Sequence, residues 1–269
     1  MIPSSAPPPQ PFFLNAGAAA RFCLYHAAAQ PCRGSWLYVH PFAEELNKSR
    51  RMAALQARSM AQNGYAVLQV DLYGCGDSAG DFGDAGWDAW HEDLHRASAW
   101  LAAATGTQPG LWGLRLGASL AVDYSRSASP APPRLLLWQP VCHGAQYLRQ
   151  FLRLKVASDA LEQTAGAGVN AMLQSLQEGI ALEIAGYRLS PALADAIDTL
   201  DLAALPPGMP AHWIEIGAQR SPATQRIADA WQAAGTKLQF DLADGPPFWA
   251  TQEITECPAL LSLTSCHVC

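Results

Sequence analysis

The sequence predicts an α/β fold, a mostly parallel sheet flanked by helices on both faces with an inserted helical cap. Three observations predict it. Short apolar runs alternate with longer helix-favouring stretches between residues 36 and 138, and again between 212 and 242. A glycine-flanked turn, Gly113-Leu114-Arg115-Leu116-Gly117, joins the apolar pair Leu111-Trp112 to a small-residue helix starting Ala118-Ser119-Leu120. The alternation then breaks after Pro140, where residues 146–201 carry helical patterns. At 269 residues and 50% hydrophobic, the chain can bury one large core with an insertion.

Residues 1–10 are proline-rich and uncharged and read as a flexible tail. Segments 12–14 and 21–26 form an entry hairpin around Asn15-Ala16-Gly17. Segment 36–40 is a buried strand ending in His40-Pro41. Residues 46–63 favour a helix, with Met52, Leu55 and Met60 on one side and a stop at Asn63-Gly64. The strand 65–70 ends at Asp71. Residues 86–105 place Trp87, Trp90, Leu94, Ala97 and Leu101 at helical spacing. Segment 134–138 is the next strand. The insertion holds helices at 147–157 and 170–178 and an extended piece at 181–189 around Gly186. Strand 212–217, helix 223–234 and strand 237–242 complete the pattern, so the core comprises 11–144 and 202–269 and the cap 145–201.

Net charge is −6, from 17 basic and 23 acidic residues, and the main basic run is Lys48-Ser49-Arg50-Arg51. That balance argues against a nucleic-acid binder. No stretch approaches the ~18 apolar residues of a membrane span, and the first ten residues lack the features of a signal peptide. Seven scattered cysteines, an odd number, favour reduced thiols and a cytoplasmic protein.

The glycine-flanked turn has the strand–turn–helix setting of a nucleophile elbow, whose apex should be serine, cysteine or aspartate. Its apex is Arg115, always protonated and unable to attack a carbonyl. Four segments together resemble the α/β-hydrolase superfamily. They are His40-Pro41-Phe42, Asp71-Leu72-Tyr73-Gly74-Cys75-Gly76-Asp77-Ser78, the elbow, and the late strand–helix–strand. In more detail, His40-Pro41-Phe42-Ala43-Glu44-Glu45-Leu46-Asn47-Lys48-Ser49-Arg50, the elbow, Trp138-Gln139-Pro140-Val141, Gln150-Phe151-Leu152-Arg153 and Pro247-Phe248-Trp249 resemble exosortase A system-associated hydrolase, type 2. That resemblance implies an α/β-hydrolase fold and a partner among the protein-sorting and exopolysaccharide systems of Gram-negative bacteria; it supplies no substrate. It places a catalytic base in 244–249, which holds no histidine, and an acid in 217–222, which holds no carboxylate. All three triad positions read as empty.

A cation at a helix N-terminus opposes the macrodipole, and leaving it buried and unpaired is costly. Arg115 therefore needs a carboxylate, and Glu44 and Glu45 follow the strand that the resemblance sets beside the elbow. Such a pair is either a stabilising ion bridge or an anion clamp. The expected pocket contains Arg115, Leu116, Phe42, Glu44, Glu45, Tyr73, Gln139 and Trp249, for a small acyl, lipid or anionic ligand. This describes a non-catalytic, ligand-binding accessory protein with neither metal nor cofactor. One alternative is an ester or thioester hydrolase, or acyl transferase, using Cys142 as a displaced nucleophile; neighbouring His143 points the other way on an extended chain. Another is a zinc peptidase through His91, Glu92 and His95 of an H-E-x-x-H helix. The tail Cys266-His267-Val268-Cys269, with Cys257 upstream, lacks a second C-x-x-C and reads as a frayed terminus. Cys75 reads as filler of a tight turn, Ser119 as helix packing and Ser78 as a turn cap.

Overall fold

The alternating runs assemble into one eight-stranded sheet in the computed structural model, which describes residues 5–15, 17–161 and 167–268. The strands are β1 (Gln10–Leu14), β2 (Arg21–His26), β3 (Gly34–Val39), β4 (Tyr65–Val70), β5 (Gly110–Leu114) and β6 (Leu135–Trp138). Beyond the insertion come β9 (Ala211–Ile216) and β10 (Leu238–Ala243). The order is β1-β2-β4-β3-β5-β6-β9-β10, antiparallel at the β1–β2 and β2–β4 pairs and parallel elsewhere. Of the predicted tail, residues 1–4 lie outside the described residues, as does Ala16 of the entry turn; Gln10 already belongs to β1.

Period-two alternation divides the core between the sheet faces. Leu37, Val39, Leu68, Leu111 and Leu137 pack with α2 (Trp87–Thr105), α3 (Leu116–Ser127) and α7 (Pro222–Ala233). Trp36, Tyr38, Trp112 and Trp138 face the other way, onto α1 (Glu44–Gln62) and α8 (Pro258–Val268). β5 and β6 are buried throughout, as central parallel strands covered on both sides should be. α8 corrects the frayed-terminus expectation. Leu260 and Thr264 are buried one helical turn apart, and the Trp138 indole donates to Thr264 Oγ1 at 2.9 Å. Cys269 lies outside the described residues.

The insertion between β6 and β9 comprises α4 (Gly144–Leu161), α5 (Val169–Gln177), the hairpin β7 (Leu182–Ile184) and β8 (Tyr187–Leu189), and α6 (Pro191–Asp198). Its stem is clasped, with Gly144 N donating to Leu200 O at 2.8 Å and Leu202 N to Cys142 O at 3.1 Å. The extended piece is this hairpin, turning at Ala185 and Gly186, both at positive φ. α6 was not expected; Ser190 caps it, accepting from Leu193 N, and Pro191 occupies its first turn. α4 lies against the carboxyl ends of the strands, where Tyr147 and Phe151 meet Phe42 at ring-centroid distances of 6.0 and 4.9 Å. No helix among the described residues is long and apolar enough to cross a membrane.

Candidate functional site

The carboxyl ends of β3, β5 and β6 deliver three non-glycine residues at positive φ: Ala43 at 49°, Arg115 at 56° and Gln139 at 44°. Such strain persists only where neighbours over-determine it. Here Arg115 N donates to Trp138 O at 2.9 Å and Gln139 N donates to Ile214 O at 2.8 Å. The elbow glycines allow the close approach. A β-carbon at Gly117 would overlap the carbonyl oxygens of Val39 and His40, and one at Gly113 would overlap the Ala118 backbone.

Arg115 leaves this turn with its side chain 17% exposed and donates from Nε to Glu45 Oε1 at 3.2 Å. Tyr147 donates its hydroxyl to Glu45 Oε2 at 3.1 Å. The guanidinium carbon stands 5.4 Å from the Tyr147 ring centroid and 5.3 Å from that of Trp249, within cation–π range of both. Burial pushes the Glu45 carboxyl up, while Arg115 and Tyr147 pull it down. Burial also raises the Tyr147 phenol, and the Glu45 charge adds to the rise. Among the described residues, Nε carries the only hydrogen bond of the Arg115 side chain, so its terminal nitrogens are uncommitted.

Arg115, Tyr147 and Gln150 form the wall between two clefts. One, of about 330 Å³, is lined largely by Phe42, Phe151, Leu154 and Trp249, with Glu44, Glu45 and Lys48 at its side. The other, of about 250 Å³, is polar and includes Gln139, Cys142, His143, Glu215, Ser221 and Thr224.

Of the eight expected pocket residues, six line these clefts. Leu116 and Tyr73 do not. Leu116 borders a void of about 10 Å³ beside His40 and Leu72, room for no more than a water. Tyr73 is drawn away because its ring lies 4.5 Å beneath the Arg21 guanidinium and its N–H donates to Asp93, the buried partner of Arg21. Glu44 reaches the cleft without reaching Arg115; Tyr187 and Asn47 donate to its Oε2 at 3.1 Å.

No hydroxyl or thiol beside Arg115 has an imidazole partner among the described residues. Ser119 donates to Val141 O at 2.9 Å, and Ser221 and Thr224 share a hydrogen bond at 2.9 Å. Burial pushes the Cys142 thiol up to about 11, the reverse of an activated nucleophile, and His143 turns to Asp201 at 3.3 Å. The H-E-x-x-H residues are engaged otherwise or exposed. His91 Nε2 lies 3.2 Å from Asp123 Oδ2, Glu92 accepts from Arg96 Nε at 2.7 Å, and His95 is exposed. Asp71 of the glycine-rich turn accepts from both terminal nitrogens of Arg50 and from Asp77 N. Ser78 ties the same turn to β2 by accepting from Phe22 N.

The sequence reading missed Glu215. It sits within β9, accepts from Thr224 Oγ1 at 2.8 Å and Trp213 Nε1 at 3.1 Å, and is held above the usual carboxylate range by burial. Its only signal was a charged residue between Ile214 and Ile216 in an otherwise apolar strand.

The family model for serine aminopeptidase S33 (Hydrolase_4) matches residues 30–178. No curated protein matches the chain significantly. Among solved structures, the chain is similar to Est1E from Butyrivibrio proteoclasticus with ferulic acid bound, at TM-score 0.69 and 13% identity over 96% of each chain. It is similar to a carboxyl esterase from Bacillus coagulans at TM-score 0.61 and 13% identity, over 88% of this chain and 90% of that one. The thioesterase domain of the curacin biosynthetic pathway aligns at TM-score 0.57 and 15% identity, over 96% of this chain and 99% of that one. These likenesses show the α/β-hydrolase fold.

Proposed function

The chain belongs to the serine aminopeptidase S33 family, and we propose that within it this protein binds an anionic or acyl ligand at the elbow without performing Ser-His-Asp chemistry. The observation that carries the reading is Arg115 itself. It stands where the attacking atom belongs, with one side-chain hydrogen bond and a cleft on either side. A guanidinium with free terminal nitrogens suits a carboxylate or phosphate. The N–H groups of Leu116 and Gly117 open α3 with no carbonyl of their own helix to bond, and they favour the same charge. The apolar cleft beside Trp249 would take the ligand's acyl or hydrocarbon part. In this reading the triad is lost, and α4 to α6 form a cap that sets ligand choice.

The segments resembling exosortase A system-associated hydrolase, type 2, support a place beside an exosortase A or exopolysaccharide system, with a protein partner there. Free thiols at all six described cysteines fit a reducing cytoplasm. The test is a pair of assays on the full chain. A serine-directed fluorophosphonate probe and a short p-nitrophenyl ester should give neither labelling nor turnover. Thermal shift against fatty acids, acyl phosphates and sugar phosphates should give a stabilising ligand whose effect Arg115→Gln abolishes. Labelling of the wild type, or ligand binding unchanged in Arg115→Gln, overturns the proposal.

A further inference from the structure

A second constellation lies toward the amino ends of the strands, away from Arg115. β10 pairs with β9 so that Gln239 stands opposite His212. Asp241 is two residues on, so its side chain shares the face of the sheet that His212 uses. α8 covers that face and brings His267 to the same point. His212 Nε2 is 2.7 Å from Asp241 Oδ2, and His267 Nε2 is 3.5 Å from the same oxygen. The three ligating atoms all lie within 4.8 Å of one another, the only such trio among the described residues. We propose that His212, Asp241 and His267 form a divalent transition-metal site of the zinc class that ties the last helix to the sheet edge.

The two histidine–aspartate spacings suit that metal. Tetrahedral zinc with bonds of about 2.0–2.1 Å holds its ligand atoms about 3.3 Å apart. His267 and Asp241 are already so placed. His212 and Asp241 need to separate by about 0.6 Å, the change expected when a metal replaces the proton between them. Two imidazoles and one carboxylate leave a fourth position. Both histidines line a cleft of about 410 Å³ that also holds Arg134 and Lys237, so water or an anion can complete the shell. Gln239 touches His267 Nδ1 at 2.9 Å and Asp241 Oδ2 at 3.1 Å.

The experiment uses the full chain, stripped with chelator, dialysed against zinc ions and then against metal-free buffer. Elemental analysis should give about one zinc per chain, and the melting temperature should rise on zinc addition. His267→Ala and Asp241→Asn should each cut retained zinc at least tenfold and abolish the rise. His267 is partly exposed in the final helical turn, so the metal-free melt of His267→Ala should match that of the wild type. His91→Ala, from the H-E-x-x-H helix, should retain zinc fully. No retained zinc, or equal retention in His267→Ala, overturns the proposal.

Discussion

Arg115→Met keeps length and apolar stem at the elbow and removes the charge. Complete burial of an ion pair makes loss of one partner cost about 3–5 kcal/mol. Arg115 and Glu45 are 17% and 19% exposed, and Tyr147 still holds Glu45 Oε2, so about 2 kcal/mol applies here. The two ring contacts, at 5.4 and 5.3 Å, add about 0.5 kcal/mol each. A loss of about 3 kcal/mol lowers the melting temperature by about 6–12 °C in a domain of this size. Glu45→Gln alone leaves Arg115 uncompensated and should cost about 2 kcal/mol. The double variant removes both charges, and the Tyr147 hydroxyl can still donate to the amide oxygen that replaces the carboxylate. It should therefore be more stable than the sum of the singles by at least ~1 kcal/mol. The assay is scanning calorimetry of the four proteins at one pH and salt. Additive losses, or an Arg115→Met protein as stable as the wild type, would refute the pairing energetics argued from this geometry.

Three further outcomes are expected. Arg115→Ser places a hydroxyl at the apex with no imidazole beside it among the described residues, so p-nitrophenyl acetate hydrolysis should stay at the uncatalysed rate; enzymatic turnover would show that a base is in reach. Gly117→Ala drives a β-carbon into the His40 and Val39 carbonyls and should cost about 3 kcal/mol, read from thermal unfolding of the soluble fraction. His40 is buried, accepts from Leu72 N at Nε2 (3.1 Å), and is held below its ordinary 6.5 chiefly by that burial. Below pH 6.5 the unfolded chain takes up the proton before the folded one, so stability is full above 6.5 and falls as pH drops through the folded value. His40→Gln should flatten that fall by up to ~1.4 kcal/mol per pH unit, measured as urea midpoints from pH 7.5 to 5; an unchanged slope would remove His40 from the account.

The central sheet was legible because β3 to β6 are buried on both faces and read as apolar runs bounded by turns. α8 was not, because Thr264 owes its burial to Trp138, far away in the chain. At the site, the sequence narrowed the partner of Arg115 to Glu44 or Glu45. One residue of helix rotation decides between them; the packing of α1 on the sheet sets that rotation, and Tyr147 then holds Glu45 while Tyr187 holds Glu44. Tyr73 escaped for the same kind of reason, since the direction of a turn residue was settled by Arg21 and Asp93. Glu215 was missed because its burial depends on Thr224, nine residues on, whose hydroxyl donates to it.

The strained turn has a consequence for how this chain can change. The backbone of Arg115 is fixed by glycine approaches on both sides and by Trp138 O, none of which involves its side chain. The apex is therefore a presentation point that aims whatever it carries at the same spot, and the conformational strain of about 1–3 kcal/mol is the same for serine, cysteine or arginine. Such a position decouples architecture from chemistry. A single codon change can trade an attacking group for a gripping one, or the reverse, while the scaffold that directs it stays as it is.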